Sequence, residues 1–309
     1  MLGFSLATNK IKGNELTVSP FTNLMGEAKQ WLLRFSENRM ATVGLVFVSF
    51  ILLVAAFAPY IALHDPDVIN IKNRLAPLSA EHPFGTDAFG RDLFSRVIYG
   101  ARISAIAGIG SCSVALVVGV FLGAVSGYAG RIIDNSIMRV MDAIMAFPGI
   151  LFAIALMTVL GASLTNVCIA LAIRFIPHFA RITRGAVLKE REKEYVEAAL
   201  VQGESSMRIL FVQIMPNCTA PILIQLTLDF AAAIISEASL SFLGIGVPPP
   251  TPSWGNILHA AKTTMEFYPW AAIFPGVAIC FSVLGLNLLG DGLRDVLDPR
   301  LSEERSANG

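Results

Sequence analysis

The sequence predicts an all-α integral membrane protein with six membrane-spanning helices. Three observations carry that expectation. The 309-residue chain is 54% hydrophobic and only 15% charged, against about 25% charged in ordinary soluble domains, and its mean hydropathy is +0.64. Its apolar residues are gathered into runs of about 20, the length of helix that crosses a bilayer core; continuous runs of this kind lack the alternation of a membrane β-barrel. The Lys and Arg residues between the runs are shared unevenly. Zero formal net charge, no basic face and a general shortage of charge exclude a nucleic-acid binder, a large soluble enzyme and a disordered chain.

The elements follow in order. Residues 1–39 form a polar leader with both acids and bases. Within it, residues 23–39 place Leu24, Ala28, Trp31, Leu32 and Phe35 at helical spacing, the pattern of an amphipathic helix lying on the membrane or against protein. The first span is 40–63, without a charge; it starts too late and runs too long for a cleaved signal peptide. The second, 103–128, is uncharged and rich in glycine. The third covers about 143–160 and the fourth about 164–180, interrupted by Arg174 and Pro177. The fifth, about 219–245, contains Asp229 and Glu237, and the last covers about 270–289. Cys112, Cys168, Cys218 and Cys280 lie far apart in or beside these runs. No spacing among them suits a metal or a disulfide, so they read as small buried hydrophobes.

Orientation follows from the basic residues. With the N-terminus inside, sixteen Lys and Arg fall in inside segments and six in outside segments, with Arg174 left within a span. That asymmetry puts both termini in the cytoplasm. The long segment between spans four and five, about 181–216, is then cytoplasmic. Its charged lead-in, Lys189 to Glu194, suits an exposed helix with mixed-sign pairs. Glu197, Ala198 and Ala199 follow, then Gly203, a helix stop that takes the left-handed turn without penalty. A second short helix, about 206–214, is expected to end at Pro216. The object is a helix–turn–helix held off the membrane, able to dock into a groove of a soluble partner.

Glu197-Ala198-Ala199 with Gly203 and Pro216 resembles the EAA loop of ABC-importer permeases, and three further motifs in order extend the resemblance over most of the chain. His82, Pro83, Phe84, Gly85, Thr86 and Asp87 with Gly90, Arg91 and Asp92 are similar to the signature after the first span in dipeptide and oligopeptide permeases of the C-subunit type. So are the run from Ser236 and Glu237 to Gly244 with Pro249, Pro250, Trp254 and Gly255, and the C-terminal Asn287, Asp291, Arg294, Asp295, Asp298, Pro299 and Arg300. The sequence departs from the general loop pattern at Gln213 and Met215, where Ile and Leu are frequent. The resemblance implies the type I ABC-importer permease fold. It also implies a heterodimer with a second, B-type permease, two cytoplasmic ATP-binding subunits, an extracytoplasmic solute-binding protein and a di- or oligopeptide substrate. Relatives carry glutathione, nickel, D-amino-acid dipeptides or sugar conjugates, so the substrate stays open at this point. By resemblance the EAA loop is the coupling helix that enters the ATP-binding subunit.

No GxxxxGK[ST] loop, HExxH pair or GxSxG elbow occurs, and the four His residues are scattered. The chain is therefore expected to have no catalytic residue, no metal and no cofactor of its own, ATP being bound by partners. Arg174, Asp229 and Glu237 are costly within a bilayer and must face protein or water. Asp229 and Glu237 are eight residues apart, about 80° around a helix, so one broad face holds both. Two readings stay open for these three: a polar lining of the translocation path, or a structural role, with Arg174 paired to Asp229 or Glu237 lying near the outer boundary. Outside, Asp87, Arg91 and Asp92 read as intraloop ion pairs, and Trp254 and Trp270 as headgroup anchors. The expected organisation is a cytoplasmic tail with an interfacial helix (1–39), a six-span permease domain (40–290) and a cytoplasmic tail (291–309), in the bacterial inner membrane. A transporter working without ATP is the main alternative.

Overall fold

The computed structural model describes residues 38–297. The amphipathic helix expected before residue 38 and the stop at Asp298 and Pro299 lie outside the described residues. Helix α1 (Arg39–Ala56) opens at Asn38, whose side-chain oxygen accepts from the N–H groups of Met40 and Ala41 and so satisfies two donors that the first turn leaves bare. The run expected to 63 breaks at Phe57 into α1 and the short α2 (Ala58–Ile61), because Pro59 tolerates only a first-turn position. An irregular segment then leads to α3 (Leu93–Tyr128), capped by Asp92, which accepts from the Ser95 N–H at 2.8 Å.

Helix α3 begins ten residues before the apolar run does, since Arg96 is carried into the protein and donates to the Pro66 carbonyl at 2.8 Å. Gly130, at φ +93°, turns the chain into α4 (Arg131–Met145). Next comes α5 (Gly149–Leu160), bent 88° from α4 at a break that contains Pro148. The third expected span is thus two helices: twelve residues of α5 reach about 18 Å, short of a bilayer core of about 30 Å. Helix α6 (Leu164–Glu190) is capped by Ser163 and runs through Pro177 ten residues past the expected end. After α7 (Glu194–Val201) and α8 (Ser206–Arg208), a π-helical turn (Ile209–Ile214) and a 3-10 turn (Met215–Cys218) lead directly into α9 (Thr219–Phe242). The chain ends on α10 (Trp254–Ala261) and α11 (Trp270–Leu297). Helix α11 continues past the apolar run, through Asp291 and Arg294.

Four of the described helical stretches are long and apolar enough to cross a membrane, and the bent α4–α5 pair makes a fifth. The remaining expected span, the fourth, is α6, 27 residues long but not apolar enough to join them, because Arg174, His178, Arg181 and Arg184 interrupt it.

Helix α6 packs lengthwise on α3. Gly119, Gly123 and Gly127 form one stripe on α3, and a Cβ at these positions would stand 2.6 Å from Phe179 Cβ, 2.8 Å from Thr183 Cβ and 2.9 Å from Val187 Cβ. Small residues four apart let two membrane helices approach backbone to backbone. One core gathers around Leu171, Phe175, Phe179, Ile209 and Ile214, the other around Leu93, Val97, Trp254, Ile257 and Leu286. Phe50, Val117, Phe121 and Val159 face outward, as suits a bundle whose surroundings are themselves apolar. The four cysteines are free; Cys112 and Cys218 are buried, but Cys280 is exposed on α11 rather than enclosed as expected.

Candidate coupling hairpin and intramembrane polar pairs

The hairpin is built from α7 and the turn after it. Helix α7 ends in a double hydrogen bond: the Glu204 N–H donates to Ala199 O at 3.1 Å and the Gly203 N–H to Leu200 O at 3.0 Å. This is the Schellman arrangement, which needs a left-handed backbone at the first of the two donor residues along the chain. Gly203 supplies it at φ +79°. Val196 and Ala199 pack inward, and Tyr195 and Lys193 tie the base to α6 through Glu190 at 3.0 and 2.7 Å. The Glu190 carboxylate holds the Lys193 ammonium above its usual range.

The other face is open. Glu197 and Ala198 are exposed, Leu200 is 53% and Val201 88% exposed, and Met207 and Val212 stand out beyond the turn. The expected second helix is different from what forms. Only Ser206–Arg208 is α-helical, and Pro216 ends nothing: it sits in the first turn of the 3-10 segment, where no N–H is required. The π turn before it resets the hydrogen-bond ladder, so the second arm grows straight into the membrane helix α9. Gln213, one of the departures from the general pattern, crosses the turn and donates to Glu204.

Inside the bundle, α6 and α9 are joined by two polar rungs. Arg174 Nη1 donates to Ser236 Oγ at 2.6 Å, and His178 Nδ1 lies 2.8 Å from Asp229 Oδ1. The expected Arg174–Asp229 pair does not form, because His178, one turn along α6 from Arg174, occupies the carboxylate. The spacing of four between Arg174 and His178 is the signal of this pairing that the sequence carries. Asp229 Oδ2 is buried without a partner among the described residues. Glu237 is fully buried; it accepts from Ser104 Oγ of α3 at 3.2 Å and Ser241 Oγ at 2.8 Å. It braces α9 to α3 within this chain.

The comparisons with known proteins agree with this geometry. Residues 93–303 match the model of the binding-protein-dependent transport system inner membrane component family. The chain belongs to this family. Residues 28–77 match the N-terminal TM domain of oligopeptide transport permease C. The chain is 46% identical to the dipeptide transport system permease protein DppC of Alkalihalophilus pseudofirmus, over 87% of this chain and 88% of that protein. It is 45% identical to the glutathione transport system permease protein GsiD of Escherichia coli, over 87% and 89%. A chain of the inward-facing MetNI methionine ABC transporter shares the fold at TM-score 0.50 and 17% identity, covering 67% of this chain and 94% of that one. At that identity the likeness speaks for architecture alone, and it agrees with the type I importer permease fold.

The loop that leads into α3 of this multi-pass permease is held by its own charges. Arg91 Nε donates to Asp87 Oδ2 at 2.7 Å, and Asp87 Oδ1 accepts from the Phe89 and Arg91 N–H groups at 2.8 and 3.0 Å. Trp254 is no headgroup anchor: it is buried at the start of α10, and its indole N–H donates to the Val97 carbonyl at 2.9 Å. Trp270 is half-buried, stacked edge-on with Tyr268.

Proposed function

We propose that this chain is the C-type membrane subunit of a peptide-importing ABC transporter, oriented with both termini in the cytoplasm. It pairs with a second, B-type permease, two cytoplasmic ATP-binding subunits and an extracytoplasmic solute-binding protein. ATP hydrolysis belongs to the partners; this chain binds no cofactor and does no chemistry. The observation that carries the reading is the hairpin: a helix stopped by a glycine turn, offering Glu197, Leu200 and Val201 on a face that none of the described residues covers. Exposed apolar residues on a rigid tip, next to a charged lead-in, suit insertion into a groove on a soluble partner. When the ATP-binding pair closes, the two hairpins move with it and drive the permease pair between inward- and outward-facing forms. Asp229, His178 and Arg174 remain candidates for the polar side of the path, with Glu237 as a brace behind it.

Di- or tripeptide is the substrate class favoured by the 46% identical dipeptide permease. Glutathione, itself a tripeptide, is the second reading, favoured by the 45% identical relative. The test is uptake into proteoliposomes holding both permeases, the ATP-binding subunits and the solute-binding protein encoded beside this chain. Labelled dipeptide and glutathione are offered with ATP inside, and again with an ion gradient and no ATP. ATP-dependent accumulation of peptide is expected. Uptake by this chain alone, driven by a gradient, would make it a secondary transporter and overturn the proposal.

A further inference from the structure

We infer that His64, His82 and Asp92 form a binding site for a divalent transition-metal ion of the zinc class. The three come from separate stretches of chain: His64 follows α2, His82 lies in the outer loop and Asp92 caps α3. One donor atom from each lies within 4.8 Å of the other two. His82 Nδ1 is 2.8 Å from Asp92 Oδ1, His64 Nδ1 is 3.9 Å from Asp92 Oδ2, and the two rings face each other at 4.9 Å between centroids.

The site is held in place before any ion arrives. The His64 N–H donates to Ser95 Oγ at 3.0 Å, the His82 N–H to Ser79 Oγ at 3.0 Å, and Asp92 accepts from the Ser95 N–H at 2.8 Å. Two of the three backbones are therefore tied to the same first turn of α3. The nearest cations do not compete for the Asp92 carboxylate. Arg91 is turned to Asp87 at 2.7 Å, and Arg96 to Asp67 at 3.4 Å and Asp87 at 3.9 Å.

The donor set decides the class of ion. Two imidazoles and one carboxylate suit Zn²⁺, Co²⁺ or Ni²⁺, whereas Mg²⁺ and Ca²⁺ take oxygen. Bonds of about 2.0–2.2 Å around a tetrahedral ion set neighbouring donors roughly 3.3–3.6 Å apart. The 2.8 Å contact must open by about 0.5–0.8 Å and the 3.9 Å contact close by about 0.3–0.6 Å, within reach of side-chain rotation.

The ion replaces the proton between His82 Nδ1 and the Asp92 carboxylate, so that both bind it directly. The buried Nε2, which has no hydrogen-bond partner among the described residues, then carries the ring's remaining proton. The Asp92 side chain is 1% exposed, His82 10% and His64 38%. The site thus has a closed floor and one open wall, through which the ion enters and a water completes the shell. Bound there, the ion staples the end of α2 and the outer loop to the start of α3.

The experiment uses the full chain in nanodiscs, with any affinity tag removed and metals stripped by EDTA, titrated with Co²⁺ and then Zn²⁺. Expected are the visible absorption of tetrahedral Co²⁺, saturating near one ion per chain, its loss on adding Zn²⁺, and a Zn²⁺-dependent rise in melting temperature. His64→Ala leaves the Asp92 cap intact and should weaken binding by about tenfold or more; His82→Gln is the second variant, and His259→Ala, whose side chain is exposed on α10 away from the site, should bind as the parent does. No Co²⁺ absorption in the parent chain, or a loss of less than tenfold in both His64→Ala and His82→Gln, overturns the proposal.

Discussion

The turn at Gly203 yields the sharpest test of the coupling reading, because its geometry separates strain from crowding. The residue sits at φ +79°, yet a Cβ added there would meet nothing within 4 Å. A side chain is therefore opposed only by the left-handed backbone, at about 1–2 kcal/mol for an ordinary residue and less for Asn. At 1.4 kcal/mol per tenfold, that is roughly a 5- to 30-fold loss of the population in which α7 ends in its double-bonded turn. Gly203→Asn should then stay close to the parent, Gly203→Ala should fall by about 5- to 30-fold in affinity for the ATP-binding subunits, and Gly203→Asp should fall further than Asn because it adds a charge to a docking tip. Association is read by co-purification at matched membrane expression, and coupling by peptide uptake in the same membranes. If Ala and Asp both match glycine in association and uptake, the turn does not shape the docking surface and the coupling assignment fails with it.

Three other outcomes follow from the same coordinates. Gly123→Leu should lower the melting temperature and the yield of monodisperse protein, since a Cβ there runs into the main chain of Ala180 and into Thr183, while Gly276→Ala, with open space around it, should be neutral or stabilising by up to about 1 kcal/mol. His178→Ala should destabilise the chain more than His178→Ala combined with Asp229→Asn, because the single change strands a buried carboxylate; equal melting temperatures would mean the rung carries no load. In a cysteine-free background, cysteines at Glu197 and at exposed Phe89 should react with impermeant reagent from opposite sides of the membrane; labelling of both from outside would reverse the orientation.

The sequence was most legible where the bilayer itself does the selecting. Apolar runs at 40–63, 103–128, 219–245 and 270–289 each found a helix, because lipid-facing and core-facing positions alike must be apolar. Their ends were misplaced for a physical reason. A membrane helix stops where a cap or a turn stops it, not where hydropathy falls, so α3 starts at its Asp92 cap and α6 and α11 continue through charged residues. The α4–α5 bend was invisible to a hydropathy window because it sits inside one apolar stretch. Gly203 was readable because a left-handed position leaves a residue-type mark. Pro216 misled because a proline is equally at home stopping one helix or starting the next.

Partnerships inside the bundle follow a different logic. Arg174 and Asp229 attract as isolated charges, but the pairs that form depend on which turn of α6 meets which turn of α9. The rungs run antiparallel: Arg174 meets Ser236 and His178, one turn later, meets Asp229, seven residues earlier on α9. Two residues four apart on one helix and two seven apart on the other share facing stripes, so once α6 and α9 are known to be antiparallel neighbours the pairing follows from period alone. Glu237, one residue beyond Ser236, is turned to the other side of α9, where Ser104 and Ser241 wait for it. A carboxylate surrounded by hydroxyls is held by neutral donors, so it needs no cation. What separates the brace from the rung is therefore about 100° of helix, which the sequence contains but only the neighbouring helices make meaningful.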